Sequence, residues 1–334
     1  MTIRTDQLEE SKAIQRRTGR TFHVATRLLP DRTRHATYVL YAFFRIADDV
    51  VDDPDPLPPA EQIHRLDRLR RVALGQETTD EPVLAAFADV RTRYDIDPAD
   101  IETFIDAMQR DVTAGTNGNV TVAFADDTEL ETYLRGSAVA VAYMMLAVMG
   151  SDQPSVARPH AKALGEAFQL TNFLRDVRED RDDYSRIYLP ETTLERYEVD
   201  RDSIIVGDPT PAFRAAVHAE LVRAEAKYRE GIAGIRYLPR DCQFAVLLAA
   251  TLYAEHHRLI RKQEFDVLTA RPSLSLARTL SVLLRTSWHW ALTRDPATVF
   301  YRVSPVPRTA SHAGQAAARP TSRLRDLRPF QWLH

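Results

Sequence analysis

Residues 38–53 read YVLYAFFRIADDVVDD, and this stretch decides the fold that we expect for the whole chain. It begins as a mostly apolar segment without Gly or Pro, which is typical of a buried helix, and then adds four aspartates in the same helical register. Residues four apart share a helix face, so Asp48 stacks with Asp52 and Asp49 with Asp53. Each such like-charge pair destabilises a helix by about 0.2–0.5 kcal/mol, and more where burial lowers the local dielectric. A positive partner is therefore expected.

Two explanations of this acidic cluster are open from the stretch alone. Arg45 lies one turn before the first aspartates, but one guanidinium cannot neutralise four carboxylates. A hard divalent cation could do so, because Mg²⁺ takes one or two protein carboxylates together with the phosphate oxygens of a substrate. The alternative is a solvated helix end at which acidic residues happen to gather.

Composition limits the class of protein. The chain has 334 residues, of which 44% are hydrophobic and 27% charged, so that it can bury a large core in one or two domains. A net charge of −3 argues against a nucleic-acid-binding protein. Cys242 is the single cysteine, which excludes an internal disulfide framework and favours a reducing cytoplasm. The polar N-terminus lacks a secretory signal, and the apolar run 138–149 is shorter than the ~20 residues of a spanning helix.

Helices separated by prolines account for most of the chain. Val, Ile and Thr rarely alternate with polar residues, so no sheet is predicted. Asp97 before Pro98 predicts a helix N-cap, and Thr128 with Glu131 predicts a capping box. The prolines that we interpret as helix boundaries are Pro30, Pro54, Pro56, Pro58, Pro59, Pro82, Pro98, Pro154, Pro159, Pro190, Pro209, Pro211, Pro239 and Pro272.

The predicted fold class is all-α, with one large helical domain. We expect an N-terminal arm over 1–15, the domain over 16–303, and a disordered tail over 304–334, where Pro, Ala, Ser and Arg predominate.

A second acidic cluster lies in residues 168–190, FQLTNFLRDVREDRDDYSRIYLP. Asn172, Asp176 and Asp180 recur every four residues, with Gln169 one turn before, so that all share one helical stripe beside apolar positions. Interleaved arginines would suit an ordinary surface of ion pairs. Two such clusters on two long helices instead predict a shared cavity that holds cations and a polyanion, and diphosphate fits because its oxygens can complete several metal coordination shells.

The paired motifs YAFFRIADDVVDD and NFLRDVRED, with RIYLP after them, resemble the aspartate-rich motifs of the squalene and phytoene synthase family, most closely its bacterial and archaeal phytoene synthases. The resemblance extends over residues 17–285. It implies an isoprenoid synthase fold, in which antiparallel helices surround a deep apolar channel.

The resemblance also implies roles for individual residues. Metal ligands would be Asp48, Asp52, Asn172, Asp176 and Asp180, and catalysis would fall to the four carboxylates with Tyr41 and Arg45. Contacts to substrate and diphosphate would come from Arg20, Thr21, Tyr41, Arg45, Tyr133, Gln169, Arg175, Arg186, Tyr188, Tyr253 and Arg271.

Some positions depart from the family pattern or receive no role. Thr21 stands where serine is common. Leu134 stands where cysteine is frequent and Ala142 where glycine is frequent, and these two departures bear on the preferred chain length. His256 and His257 lack a third ligand at a recognisable spacing, so we interpret them as surface residues.

The activity implied by the resemblance is the head-to-head condensation of two geranylgeranyl diphosphates, through prephytoene diphosphate, to phytoene. Mg²⁺, or Mn²⁺ in its place, would be the cofactor, and no NADPH would be used. The partners would be allylic prenyl diphosphates and no nucleic acid, with peripheral contact to a membrane as a weaker expectation.

Three alternatives remain at this point. A squalene-type synthase would join two farnesyl diphosphates with NADPH. A head-to-tail prenyl elongase would usually show DDxxD motifs. A non-catalytic relative in an assembly would often have lost ligands, whereas every motif carboxylate is present here.

Overall fold

The computed structural model describes residues 5–18, 20–53, 57–114 and 121–309. In this part of the chain the helices are α1 (Thr5–Thr18), α2 (Arg20–Thr26), α3 (Asp31–Val51), α4 (Pro59–Ala73), α5 (Pro82–Arg93), α6 (Pro98–Ala114), α7 (Asp127–Leu134), α8 (Val141–Met149), α9 (Pro154–Tyr184), α10 (Glu191–Arg196), α11 (Arg201–Val206), α12 (Pro211–Ile232), α13 (Arg240–Lys262), α14 (Leu276–Thr293) and α15 (Pro296–Val303). A π-helical turn, Arg135–Ala140, joins α7 to α8, and a 3₁₀ turn, Ile235–Tyr237, precedes α13. The all-α prediction is confirmed.

Extended backbone is confined, among the described residues, to one short parallel pair. Strand β1 (Thr121–Val122) pairs with β2 (Arg186–Ile187), and Thr121 faces Arg186 in the register. This pair holds the start of the RIYLP segment directly after α9, and β2 packs against α9.

The core is divided among clusters on either side of the two long helices that carry the acidic motifs. The apolar face of α3 packs with α4, α5, α6 and α8 around Phe43, whose ring stacks on Phe87 at 3.9 Å between centroids. Helix α9 packs along α12 and against α8 and α13. Helices α3 and α9 therefore each bury one face and leave another toward the space between them.

Prolines mark most helix starts as predicted. Pro59, Pro82, Pro154 and Pro211 stand at first-turn positions, where the missing N–H has no intrahelical partner to lose. Pro159 is a correction, because it lies inside α9 and not at a boundary. It removes one backbone donor near the start of a 31-residue helix, and the packing of the remaining turns sustains the helix.

One of the two predicted caps is correct. The Asp97 carboxylate accepts a hydrogen bond from the Ala99 N–H over 3.0 Å at the start of α6. The predicted box of Thr128 and Glu131 is wrong, because Asp126 is the N-cap of α7 and accepts from two backbone N–H groups. The sequence offered several acceptors in a row, and the one that precedes the first helical residue takes the role.

The π-helical turn coincides with a close approach of backbones. A Cβ atom at Gly136 would lie 2.5 Å from the Ala107 Cβ and 2.6 Å from the Thr103 carbonyl oxygen on α6. Only glycine fits at this crossing, which fixes the distance between α6 and the helix that contains the π turn.

The segment Asp127–Met149, which includes this turn, is long and apolar enough to cross a membrane by length and composition alone. In the fold it contacts α6 and α9, and Leu130, Met144 and Val148 belong to the core. It is an internal helix of the bundle, longer than the apolar run that the sequence suggested.

At the C-terminal side, residues 304–309 continue from α15, and Val306 is buried. The predicted tail beyond residue 309 lies outside the described residues.

Candidate active site

A cavity of about 890 Å³ lies between α3, α6, α8, α9 and α13. Its lining changes in character along α9. Ala157, Ala161, Leu164 and Phe168 line the N-terminal half, and the polar residues of the second motif line the C-terminal half. The apolar part extends about 16 Å along the helix axis, at 1.5 Å per residue. The cavity is thus a long apolar space with polar groups toward one end.

The structure brings the two predicted acidic clusters to this one cavity. Of the predicted site residues, Tyr41, Arg45, Asp48, Asp52, Tyr133, Gln169, Asn172, Arg175, Asp176, Asp180, Arg186, Tyr188, Tyr253 and Arg271 line it. The side chains of Arg20 and Thr21 lie outside the described residues, although both belong to α2. Asp49 and Asp53 are exposed and do not line the cavity, so the two helix faces of the first motif are separated as the four-residue spacing predicted.

The pKa values of the two cavity-lining carboxylates of the first motif are raised, as expected of buried like charges. Burial raises the pKa of Asp48 to about 7, and the neighbouring charge of Asp52 adds to the effect. Burial also raises the pKa of Asp52, against the opposing influence of Arg186 and Arg45. Arg45 itself is engaged by Asp49, at 2.6 Å between Nη2 and Oδ1. Helix α3 ends at Val51, and the backbone N–H of Asp52 caps it by donating to the Asp48 carbonyl.

The α9 carboxylates are divided between one that is paired with arginines and one that is not. Asp176 accepts two hydrogen bonds from Arg175, at 2.7 and 2.5 Å, and one from Arg271 Nε at 2.9 Å. Burial raises the pKa of Asp180 to about 8, and the charges of Asp176, Glu179 and Asp52 contribute. Asp52 directly follows α3 and Asp180 lies on α9, and both line the cavity, so the two motifs meet there.

The residues fit divalent cations in their chemistry, but the described part of the chain contains no group of three or more His, Cys, Asp or Glu side chains arranged as a metal cluster. The fit rests on Asn172. Its Oδ1 is buried without a hydrogen-bond partner, while its amide nitrogen donates to Gln169 Oε1 at 3.4 Å. This unsatisfied buried acceptor lines the same cavity as Asp48 and Asp180, whose pKa values burial raises, and a hard cation would stabilise such a set of oxygens. Which residues bind metal remains a prediction.

A buried polar cluster forms the wall between α6 and β2, and Asp111 is the member that the sequence did not predict. Asp111 on α6 accepts a hydrogen bond from the Tyr133 hydroxyl at 2.9 Å, and Arg186 approaches its carboxylate at 3.6 Å. Burial raises the pKa of Asp111 to about 6, against the favourable charge of Arg186. Arg186 also donates to the Tyr188 hydroxyl at 3.1 Å. The available signal was an aspartate on the face of α6 that carries Phe104 and Met108.

Aromatic side chains lie beside Arg175 of α9. Tyr253 on α13 packs on Phe22 and Phe168, with ring centroids 4.7 and 4.9 Å away. The Arg175 guanidinium lies 5.9 Å from the centre of the Tyr253 ring. The aromatic groups exclude water from one side of Arg175, which strengthens its bond to Asp176.

The paired histidines correct the sequence interpretation. His256 and His257 are buried, not at the surface. Burial lowers the pKa of His256 to about 4. His257 Nε2 lies 2.9 Å from the Thr171 hydroxyl, one residue before Asn172, and its Nδ1 lies 3.5 Å from Glu225. These histidines were misplaced because two polar residues in a row can both be buried on a helix that is enclosed on most sides, as α13 is.

Of the two residues expected to bear on chain length, Ala142 lines the cavity and Leu134 is buried in the core, and the methionines near them are divided between the same two places. Ala142, Met145 and Met149 line the cavity. Met144 and Leu134 are buried in the core.

Comparison with known proteins gives three results. The squalene/phytoene synthase family model matches residues 15–278. The 15-cis-phytoene synthase of Synechococcus elongatus is 29% identical over 84% of this chain and 92% of its own length. The phytoene synthase of Mycobacterium tuberculosis is 31% identical over 79% of this chain and 85% of its own length.

Solved structures agree. A dehydrosqualene synthase in complex with ligand superposes with a TM-score of 0.76 at 25% identity, covering 86% of this chain and 97% of its own. A squalene synthase from Alicyclobacillus acidocaldarius, at 23% identity and a TM-score of 0.67 over 78% of this chain and 95% of its own, shares the fold.

The fold and the two facing acidic helices define an all-α synthase of the isoprenoid type. More particularly, the chain belongs to the squalene/phytoene synthase family. It is a prenyltransferase of the phytoene synthase type.

Proposed function

We propose that the protein condenses two molecules of geranylgeranyl diphosphate head to head, through prephytoene diphosphate, to phytoene, the first committed step of carotenoid biosynthesis. The observation that carries the proposal is the meeting of two acidic helix faces at the polar end of a long apolar cavity. A ligand that fits such a space has an anionic head and a long hydrocarbon tail. The names of the relatives support the choice of phytoene over other products.

The chain's own residues supply charge and shape. Arg45, Arg175 and Arg271 lie at the polar end, where they would neutralise the negative charge that develops as a diphosphate departs. Bound Mg²⁺, or Mn²⁺, would add Lewis-acid stabilisation of the same leaving group and would be held by Asp48, Asp52, Asn172, Asp176 and Asp180.

The apolar walls have a second role. An allylic cation reacts with water, so the residues that line the cavity beyond the motifs must exclude it. Phe22, Phe168 and Tyr253 enclose the arginine side, and Met145, Leu146 and Met149 form part of the apolar wall. Over the whole reaction two diphosphates and two protons leave, so no reductant is needed.

The experiment is a product analysis. Purified protein is incubated with Mg²⁺ and either the C20 or the C15 diphosphate, each with and without NADPH, and the hydrocarbon is identified by mass spectrometry. We expect phytoene from the C20 donor and no dependence on NADPH. A C30 hydrocarbon from the C15 donor as the main product would contradict the proposal.

One alternative has an observation in its favour. The superposition on a dehydrosqualene synthase covers most of this chain, and that protein's name refers to a C30 product. A squalene-type reaction with farnesyl diphosphate and NADPH would give squalene in the same assay. If no hydrocarbon forms, joint binding of Mg²⁺ and an allylic diphosphate analogue, measured by calorimetry, separates an inactive preparation from a non-catalytic relative, which should bind neither.

A further inference from the structure

Helix α14 carries a row of large apolar side chains that no other part of the described structure covers. Leu276, Leu280, Leu284, Trp288 and Leu292 follow one another at intervals of four residues, and each is between 54% and 85% exposed. We call these five residues the α14 ridge. At 1.5 Å per residue it is about 24 Å long. Single exposed apolar residues are ordinary, but a continuous row of this length marks an interaction surface.

The opposite face of the same helix explains why the ridge is left outside. Val282, Thr286 and Trp290 are buried against the core that α13 and α15 share. Helix α14 is therefore apolar on two faces, of which the fold uses one. The second apolar face has no role in the stability of the domain and needs another explanation.

The charged residues along α14 are arginines, and the exposed Asp295 follows its C-cap. Residues 276–294 contain three arginines and no Asp or Glu. Arg278 is paired, because its Nε donates to the buried Glu255 at 2.7 Å, whereas Arg285 is exposed and donates to the Arg302 carbonyl at 3.2 Å. Arg302 and Arg294 are also exposed. The partner of an apolar surface with basic residues at its side should be apolar with anionic groups at its edge.

The ridge begins close in the chain to residues that line the cavity. Residues 271–274 line the cavity, Ser275 caps α14, and Leu276 is the first ridge residue. This continuity joins the interior of the bundle to its one long exposed apolar row in the described chain.

From these observations we propose that the α14 ridge docks the protein on an anionic lipid bilayer, with the helix lying in the membrane surface. The central ridge residues, Leu280, Leu284 and Trp288, lie within about 80° of one another around the helix axis at 3.6 residues per turn. Leucines on one side of a helix, with a tryptophan among them and arginines beside them, are the features by which a helix binds at a lipid–water interface. The proposal goes beyond the function proposed above and does not depend on it, since lipid binding is measured without substrate.

Two other occupants fit less well. A second copy of the chain meeting the ridge about a two-fold axis would bring the same arginines opposite each other. The C-terminal segment 310–334 contains apolar residues near its end, but it carries four arginines against one aspartate and would add positive charge to a basic surface. An anionic surface complements both the ridge and this segment.

The test is co-sedimentation of the full-length protein with vesicles of phosphatidylcholine and phosphatidylglycerol (3:1), and with vesicles of phosphatidylcholine alone. The ridge variant carries Leu280→Ser, Leu284→Ser and Trp288→Ser. A matched control, Ile205→Ser with Val206→Ser, removes equally exposed apolar side chains from α11, outside the ridge. Circular dichroism establishes that each variant is folded.

We expect the wild type to bind the anionic vesicles, the ridge variant to bind at least tenfold more weakly, and the control to stay within twofold of wild type, since binding scales with buried apolar area. Raising the salt concentration should weaken binding, because it screens the arginines. Equal binding by wild type and ridge variant, or no binding by wild type, would overturn the proposal. So would a wild-type dimer that becomes a monomer in the ridge variant without any vesicle binding. Loss of binding on Phe330→Ser with Trp332→Ser, when the ridge variant still binds, would assign the lipid contact to the C-terminal segment instead.

Discussion

The Tyr133 hydroxyl donates a hydrogen bond to the Asp111 carboxylate over 2.9 Å, and this bond joins the helix before the π turn to α6 in the wall of the cavity. Both residues are buried. The two residues are 22 positions apart in the chain, so no local sequence pattern predicts their contact. Asp111 also lies 3.6 Å from Arg186, which lines the cavity, so the same carboxylate contacts both the wall and a residue of the site.

Replacing Tyr133 with Phe should therefore destabilise the protein. The change leaves a buried carboxylate oxygen without its donor, which costs about 1–3 kcal/mol of unfolding free energy. Urea denaturation followed by circular dichroism measures it. Tyr143→Phe is the control, because the Tyr143 ring keeps its contact with Arg158 at 3.6 Å. An equal loss in both variants would mean that the hydrogen bond to Asp111 contributes nothing specific.

Asp180→Asn should reduce activity and increase stability at the same time. The folded-state pKa of about 8 lies above the ordinary value of 3.8, so the charged form is disfavoured in the fold, most strongly above pH 8. A neutral amide removes that penalty in protein without added metal, while turnover should fall about a hundredfold or more. Activity assays and thermal unfolding at pH 9 give the two quantities. Asp183→Asn, an exposed change on the same helix, should alter neither. Unchanged turnover in Asp180→Asn would exclude a role for this carboxylate.

Arg175→Lys should weaken substrate use without unfolding the protein. Lysine cannot reproduce the two parallel hydrogen bonds that Arg175 donates to Asp176. We expect kcat/KM for the prenyl diphosphate to fall about 10- to 100-fold, the loss of one charge-assisted interaction. Arg178→Lys is the matched control on α9, since Arg178 is exposed and pairs with Asp182 at 3.4 Å. Similar losses in the two variants would indicate a general effect of lysine on the helix.

His256 should make the protein sensitive to acid. Its folded-state pKa of about 4 lies below the ordinary 6.5, so the unfolded chain binds more protons between these values, and stability falls as the pH falls through that window. The full effect is roughly 3 kcal/mol. The stability difference between wild type and His256→Gln, measured by urea denaturation from pH 8 to 4, should be constant above pH 7 and should change below it. A constant difference over the whole range would show that His256 titrates normally.

Divalent cations and diphosphate should stabilise the protein together. If the buried, unpartnered Asn172 Oδ1 and the nearby carboxylates bind a cation, they do so only in the folded protein. A ligand that binds only the folded protein stabilises it against unfolding. We expect Mg²⁺ with inorganic diphosphate to raise the unfolding temperature more than either alone, and Asn172→Leu to abolish the difference. An additive effect in both proteins would argue against a shared site.

The sequence was most informative where one physical rule dominates. The four-residue spacing of Asp48 with Asp52, and of Asn172 with Asp176 and Asp180, places side chains on one helix face whatever surrounds it. The motifs therefore predicted which of these side chains share a helix face, and the structure shows that Asp48 and Asp52 line the cavity whereas Asp49 and Asp53 do not. The all-α fold followed from the same periodicity and from the prolines.

The errors concern burial and contacts between distant segments. Whether His256 faces solvent depends on the helices that pack around α13, which no local pattern records. Asp111 was missed because its partners come from α7 and β2, far away in the chain. The exposed ridge of α14 is the converse case, since its leucines would be assigned to the core by composition and only the packing shows that they are outside.

The glycine crossing at the π turn has a consequence for enzyme engineering. Because a methyl group at Gly136 would collide with Ala107 and Thr103, the bundle cannot be narrowed or widened there by exchanging that residue. Met145 and Met149 line the cavity, so replacing either flexible side chain would change the room for a hydrocarbon without altering this helix crossing. A library confined to these two sites would retain the catalytic end and vary the capacity alone.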